Sequence, residues 1–509
     1  MVKNVFYSPG LEFLGRRKEK NMDHPLYQIM HPSSIAIVGA SNDIAKMGTI
    51  QLLNLLNDGY PGRIYPIHPQ EETVLGMKAY RSARELPEPA DLAILIIPNS
   101  AVPQVLGDLG ERGVKRAIII SGGFREIGEK GKVLEDEIVA IARKYGMRFL
   151  GPNCIGVIHP AFHLNPTMYP YHHQPGPIGV ASQSGTYVTQ ILPLLAKSQI
   201  GYSQAFSVGN GANLDLVDCL EYLGSDPQTK AIVLYIEGIK RLREFQEVAL
   251  RVTREKPVVA LYIGGTEAGA RSGASHTASI SGPDHLYDAL FRQSGVIRAF
   301  SVEDLFEWAW ALATLPIPRG KNMAIVTHSG GPASSLADTC NRLRLQVPVF
   351  SERLQGEIRR LLPTTGSTRN PVDLTFFMDM SVLLEKVPRL ILEDPSIDGL
   401  LVHGVQGSSL FQPLAEIARG RIPVPSYAEM RNLFHSTLEA FVQLPQKFGK
   451  PIIASSFVGR EDDVVAFLQD QKLPCYGAPE RAARAMAALC QYGKTKEEDL
   501  VKSRRNDGA

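Results

Sequence analysis

One histidine of this chain stands in a setting suited to exposed chemistry. His276 lies within Gly264–Gly282, GGTEAGARSGASHTASISG, a stretch of almost wholly small residues that follows the apolar run Val258–Ile263. With so little side chain around it, the imidazole belongs at or near the surface of a loop, where it can serve as nucleophile or proton shuttle. Loop histidines also occur without a chemical role, and the glycine density is what argues for one here. Glu237 closes the run Ala231–Ile236 and precedes Gly238. A carboxylate at that edge of a parallel sheet sits where open α/β folds place their sites, and it can accept a hydrogen bond from an imidazole and set its tautomer. The other reading of Glu237 is a solvated turn residue.

Two further stretches suit anions. Ser182-Gln183-Ser184-Gly185-Thr186 stands at a strand–helix junction, where small hydroxyl side chains and free N–H groups can hold a phosphoryl group. Ordinary N-capping would use the same residues. A serine-hydrolase elbow is absent, because Ser182 and Thr327 occupy the positions of the first glycine around Ser184 and Ser329. The run IAIVGAS, ending in Gly39-Ala40-Ser41 and followed by Gly48, reads as a glycine turn that lets backbone approach a phosphate. Ser41 and Ile44 break the GxGxxG spacing, so a structural turn is the alternative. Cys154, in GPNCIG, has no identifiable base partner, and this turn reads as structural or ligand-lining. His172-His173 lies on an irregular stretch with poor chelating geometry, and no metal site is expected. Gly493-Lys494-Thr495 lacks the first P-loop glycine, since Ala488 stands there.

The elements that must position these residues are short β-branched runs alternating with helical stretches. Ile35–Val38, Leu92–Ile97, Ala117–Ile120, Ile178–Val180, Ala231–Ile236, Val258–Ile263, Met323–Val326, Gly399–Val402 and Ile452-Ile453 lack polar alternation, as strands covered on both faces should. Strand–helix repetition of this kind means α/β domains with parallel sheets. The boundaries read as an N-terminal extension 1–24, a domain 25–158, a linker 159–177, domains 178–315 and 320–493, and a tail 494–509. GPIGVASQSG running into Thr186–Ser198 and KNMAIVTHSGG running into Pro332–Leu345 open alike, which points to a duplicated flavodoxin-like plan.

Composition removes several classes of function. The 509 residues are 44% hydrophobic and 21% charged, ordinary globular usage rather than disorder. With 54 basic and 52 acidic residues the net charge is +2, and no nucleic-acid or membrane partner is expected. The five cysteines are widely spaced, without a CxxC pair, so neither a disulfide framework nor a zinc ribbon is supported. No secretory signal or membrane span is read, and a cytoplasmic location is expected.

SIAIVGAS, SGGFREIGEKG, GPNCIG, GPIGVASQSG, SVGNGANLD, DPQTKAIVLYIEG, SGASHTASISG, THSGGP and NPVDLT occur in that order. Together they resemble the α-subunit side of the NDP-forming acyl-CoA synthetases, of the ADP-forming acetyl-CoA synthetase type and more distantly succinyl-CoA synthetase, from about Pro25 to Tyr492. The resemblance implies a Rossmann-like CoA-binding domain followed by two flavodoxin-like ligase domains. It implies an acid–thiol ligase working through an acyl phosphate and a phosphohistidine. His276 matches the phosphorylated histidine, Glu237 the carboxylate that orients it, and Ser182 to Thr186 the phosphoryl cradle. Gly39, Ala40, Ser41 and Gly48 match the turn that meets CoA, with Pro98 and Ser121 on neighbouring loops. His68-Pro69-Gln70 stands where relatives often carry a lysine after Asn-Pro, and Gly211-Ala212 follows SVGN in place of an acidic residue. No ATP-grasp domain is visible, so a separate ATP-grasp β subunit holding ATP or ADP with Mg is implied, in an α2β2-type assembly with a small carboxylic acid and acyl-CoA as substrates. Two other classes stay open: a CoA or acyl-CoA sensing subunit without turnover, and a nucleotide-independent acyl phosphate/CoA acyltransferase.

Overall fold

The computed structural model describes residues 22–170, 174–269 and 282–506. The chain forms two compact units: Met1–Pro193 with Gly201–Arg298, and Leu194–Ile200 with Ala299–Ala509.

The first unit holds two sheets. One has the order β2-β1-β5-β6-β7, built from β1 (Ser34–Val38), β2 (Arg63–Ile67), β5 (Leu92–Leu95), β6 (Arg116–Ile119) and β7 (Arg148–Leu150), every pair parallel. A small hairpin, β3 (Thr73–Val74) and β4 (Met77–Lys78), stands apart from it. Side chains of β1 divide between two apolar cores, Ile35 and Ile37 on one side and Ala36 and Val38 on the other. That two-sided burial is why the run is apolar without alternation.

The other sheet has the order β13-β12-β11-β9-β10-β8, from β8 (Val157–Ile158), β9 (Pro175–Ser182), β10 (Tyr202–Ser207), β11 (Ala231–Ile236), β12 (Val258–Tyr262) and β13 (Ile297–Ala299). β8 runs antiparallel to β10, so the chain joins this sheet before the proline-rich stretch begins. Part of the stretch read as a linker is packed: Leu164, Asn165 and Thr167 are buried, and the Asn54 side chain donates to the Thr167 carbonyl at 2.6 Å. One core joins Ile37, Ile94 and Ile118 of the first sheet to Phe206, Leu220 and Leu234 of the second part.

The second unit carries the order β15-β14-β16-β17-β18, from β14 (Met323–Thr327), β15 (Val372–Asp373), β16 (Gly399–His403), β17 (Ile452–Ser455) and β18 (Cys475–Tyr476), all parallel. Its helix Pro479–Asn506 runs through most of the stretch read as a tail, because KTKEEDLVKSRR is made largely of helix formers. Arg481 pairs with Glu307, and Arg484 Nε lies 2.8 Å from Asp304 Oδ1, which ties this helix to Val302–Thr314.

Counting the doubly wound strands of each sheet in chain order, all three sheets follow 2-1-3-4-5. Their order reverses between β1 and β5, β9 and β11, and β14 and β16, which is where such sheets bind ligands. Among the described residues no helix is long and apolar enough to cross a membrane.

Candidate active site at the switch points

In the second sheet, Gln183 leaves the end of β9 and Glu237 the end of the neighbouring β11. Gln183 is buried, and its amide locks the Glu237 turn: Oε1 accepts the N–H of Glu237 at 2.6 Å and of Gly238 at 3.1 Å, while Nε2 donates to the Gly238 carbonyl at 2.9 Å. Its side chain is thus committed to the carboxylate's turn. Glu237 is itself only 6% exposed, so it is a buried site group rather than a solvated turn residue. Ser182 Oγ is also spent locally, donating to the Ser184 carbonyl at 2.6 Å and accepting its N–H at 3.2 Å. That bond tightens the turn into the helix.

The helix read as Thr186–Ser198 is two short pieces, Thr186–Thr189 and Leu192–Ala196. Pro193 explains the break, since it cannot donate to the Thr189 carbonyl and its ring crowds that position.

His276 lies outside the described residues, and the structure describes the stem of its loop instead. Tyr262, closing β12, donates its hydroxyl to the Gly282 carbonyl at 2.7 Å and stacks on Tyr287 with ring centroids 3.6 Å apart. The Tyr287 hydroxyl accepts the Ile239 N–H at 3.0 Å. Both ends of the loop are therefore pinned beside the turn that carries Glu237.

At the first sheet's switch point, Gly39 follows β1 with φ +101°, and a Cβ there would run into the Ile96 carbonyl. A Cβ on Gly48, in the first turn of the helix Met47–Asn57, would lie 2.6 Å from the Gly39 carbonyl oxygen. Two glycines thus bring strand end and helix start together. Ala40 is buried and offers only backbone. The Ser41 N–H donates to Thr49 Oγ1 at 3.1 Å, and Thr49 Oγ1 donates back to the Ser41 carbonyl at 2.9 Å. Pro98 heads the short turn after β5, and Ser121 bridges from β6, donating to the Ile97 carbonyl at 2.6 Å. His68 Nδ1 accepts the Glu71 N–H at 3.0 Å, so this side chain braces its own loop. Backbone held open by glycine at a switch point fits a phosphate-bearing cosubstrate such as CoA.

The SGGFREIGEKG and SVGNGANLD segments, far apart along the chain, meet in the structure. Asn210 Nδ2 donates to Glu126 Oε2 at 2.6 Å and to Glu135 Oε2 at 2.9 Å, and Asn153 Nδ2 donates to Asn210 Oδ1 at 3.3 Å. Arg125 Nε stands 2.5 Å from Glu135 Oε1. Lys240, three residues past Glu237, donates to the carbonyls of Asn210 at 2.6 Å and Gly211 at 3.2 Å. Desolvation of that ammonium, with Arg125 nearby, brings its pKa down to about 8. This network connects the loop after β6 to the turn after β11. Only the polar richness of the two motifs hinted at it.

The remaining sequence candidates fall away from this site. Cys154 is buried, bonded to the Ile119 carbonyl at 3.3 Å, and burial pushes its thiol up to about 12, so GPNCIG carries no thiol nucleophile. Gly493–Thr495 lies inside the helix Pro479–Asn506. His172 and His173 lie outside the described residues. Among the described residues no three His, Cys, Asp or Glu side chains gather as a metal site.

The second unit repeats the junction, with Ser329 at the residue before the helix Gly330–Arg342 that follows β14, its side chain making no capping hydrogen bond among the described residues. His403 closes β16 and meets Ser455 Oγ through Nδ1 at 2.9 Å, and burial takes its pKa down to about 4.

Comparison with known proteins agrees with this plan. The CoA binding domain family matches residues 33–160, and the succinyl-CoA ligase like flavodoxin domain family matches residues 175–312. The α subunit of acetate–CoA ligase [ADP-forming] II from Pyrococcus furiosus is 38% identical over 91% of this chain and 97% of its own length. Acetate–CoA ligase [ADP-forming] I from Archaeoglobus fulgidus is 34% identical over 93% of this chain, which spans 65% of that longer protein. The solved acetyl-coenzyme A synthetase 1 of Ca. Korarchaeum cryptofilum, in complex with phosphate and ADP, is 35% identical with a TM-score of 0.82, covering 94% of this chain and 98% of its own. With its switch-point turns in this order and an α-subunit relative 38% identical over nearly its whole length, the chain belongs to the family of ADP-forming acetate–CoA ligase α subunits.

Proposed function

We propose that the chain is the α-type subunit of an acid–thiol ligase that interconverts carboxylic acid, CoA and ATP with acyl-CoA, ADP and phosphate, with His276 as phosphoryl carrier. The observation that carries this is the Gln183-locked turn, which holds buried Glu237 beside the stem of the His276 loop. In the reading, phosphate displaces CoA from the thioester to give acyl phosphate and free thiol. The imidazole then attacks phosphorus, releasing the carboxylic acid. Glu237 accepts the ring's other N–H and stabilises its developing positive charge, and Gly185 and Thr186 supply N–H groups to the phosphoryl oxygens. A helix end offsets such charge by about 0.3–1 kcal/mol, and up to about 2 kcal/mol when partly buried. The phosphoryl group passes on to a nucleoside diphosphate held with Mg on an ATP-grasp β subunit, in an α2β2-type assembly.

Intact mass of the chain after incubation with acetyl-CoA and phosphate tests this. The wild type is expected to gain one acid-labile phosphoryl group and His276→Asn none. A gain that survives in the variant, or no gain with any acyl-CoA even beside an ATP-grasp partner, would sink the phosphohistidine route.

A further inference from the structure

A cavity of about 770 Å³ opens in the first unit beside Glu237. It begins at Gly238 and reaches Gly282, where the chain emerges from the His276 loop. Ile239, Leu242, Leu286, Tyr287 and Leu290 line it, and Leu242 and Leu286 are 48% and 56% exposed. This space falls within the roughly 300–1,000 Å³ of sites that enclose ligands far larger than a two-carbon acid. Acetate would leave both leucines in water, whereas a ring or branched chain would cover them.

Charge enters the cavity from Arg125, on the loop after β6. Glu135, fully buried, pairs with this guanidinium, its Oε1 lying 2.5 Å from Nε, and among the described residues the two terminal nitrogens make no hydrogen bond. A guanidinium held this way suits a carboxylate, which it can meet with two parallel N–H groups. Lys240 also lines the cavity, but its ammonium is occupied by the Asn210 and Gly211 carbonyls. Arg243, the third cation there, is exposed.

We propose that this site takes a monocarboxylic acid with a bulky apolar body, its carboxylate met by Arg125 and its body laid against Leu242, Leu286 and Leu290. The inference rests on the acid–thiol ligase reading and adds the class of acid.

Calorimetric titration of the full chain in the presence of CoA, with 3-phenylpropionate and with acetate, tests it. The aryl acid is expected to bind at least tenfold more tightly. Ala289→Phe, which projects a ring into the cavity from the helix Asp284–Ser294, is expected to cut that ratio at least tenfold, and Arg125→Gln to weaken both acids at least tenfold. Equal affinity for the two acids, or a ratio unmoved by Ala289→Phe, would overturn the proposal. Phosphorylation from 3-phenylpropionyl-CoA and from acetyl-CoA, each with phosphate, is followed by mass in parallel. Absence of phosphorylation with the binding preference intact supports the cavity assignment and counts against the ligase reading. Phosphorylation from acetyl-CoA without a preference for the aryl acid does the reverse.

Discussion

A single side chain, Gln183, determines how the site carboxylate is presented. Its amide has one acceptor and one donor edge, and the turn after β11 offers two N–H groups and one carbonyl to match. Gln183→Leu keeps the volume and leaves those three backbone groups unsatisfied in a buried setting, at a cost of about 1–3 kcal/mol for such a group. The melting temperature and the phosphorylation rate should fall together, the rate by about 10–100-fold as Glu237 loses its fixed position. Unchanged phosphorylation kinetics would mean that the turn holds itself. Glu237→Gln tests the carboxylate directly: phosphorylation should slow by about 100-fold or more, as expected for loss of a positioned charge partner, with melting little changed. All five cysteines are buried, and iodoacetamide at pH 8 should label none in the native chain and five after urea denaturation.

At the scale of elements, the first switch point depends on glycine. Gly39 carries a backbone conformation that costs an L residue roughly 1–2 kcal/mol, and any side chain there would strike the Ile96 carbonyl. Gly39→Ala should therefore destabilise the chain by about 2–4 kcal/mol and weaken CoA binding, as read by chemical denaturation and calorimetry. Retained CoA affinity would place CoA away from this turn. The broken helix after Ser182–Thr186 makes a related point. Propensity favoured a continuous helix, and Pro193, four residues after Thr189, ended it.

Across the whole molecule, buried imidazoles couple stability to pH. His159 is 2% exposed, neither ring nitrogen has a hydrogen-bond partner among the described residues, and burial takes its pKa down from 6.5 to about 4. Below about pH 6.5 the unfolded chain binds a proton that the folded chain refuses until about pH 4. Stability is thus complete above 6.5 and is lost as pH falls through that window, by up to about 3 kcal/mol. His159→Phe should flatten the pH dependence of denaturant midpoints between 6.5 and 4. A profile parallel to the wild type would assign the acid sensitivity elsewhere, His403 being the next group to test.

Fold class was legible in the sequence because a strand covered on both faces must be apolar throughout, and nine such runs separated by helices leave few alternatives to parallel α/β sheets. The glycine turns, the Glu237 edge and the Ser182–Thr186 junction were legible for a similar reason: strand ends and small residues are local features. Three things were not local. The hydrogen bonds of Gln183 to the Glu237 turn join residues over 50 positions apart. The Arg125–Glu135–Asn210–Lys240 network spans more than 100 positions, and no periodicity records such a meeting. The cavity beside Gly238 exists only because two helices, a loop stem and Arg125 converge there. Amino-acid order by itself determined the alternation of elements and the chemical groups available at their ends, since backbone sterics and burial act residue by residue. Tertiary structure alone decided which of those groups share a site, because that depends on the order in which strands pair across the sheets.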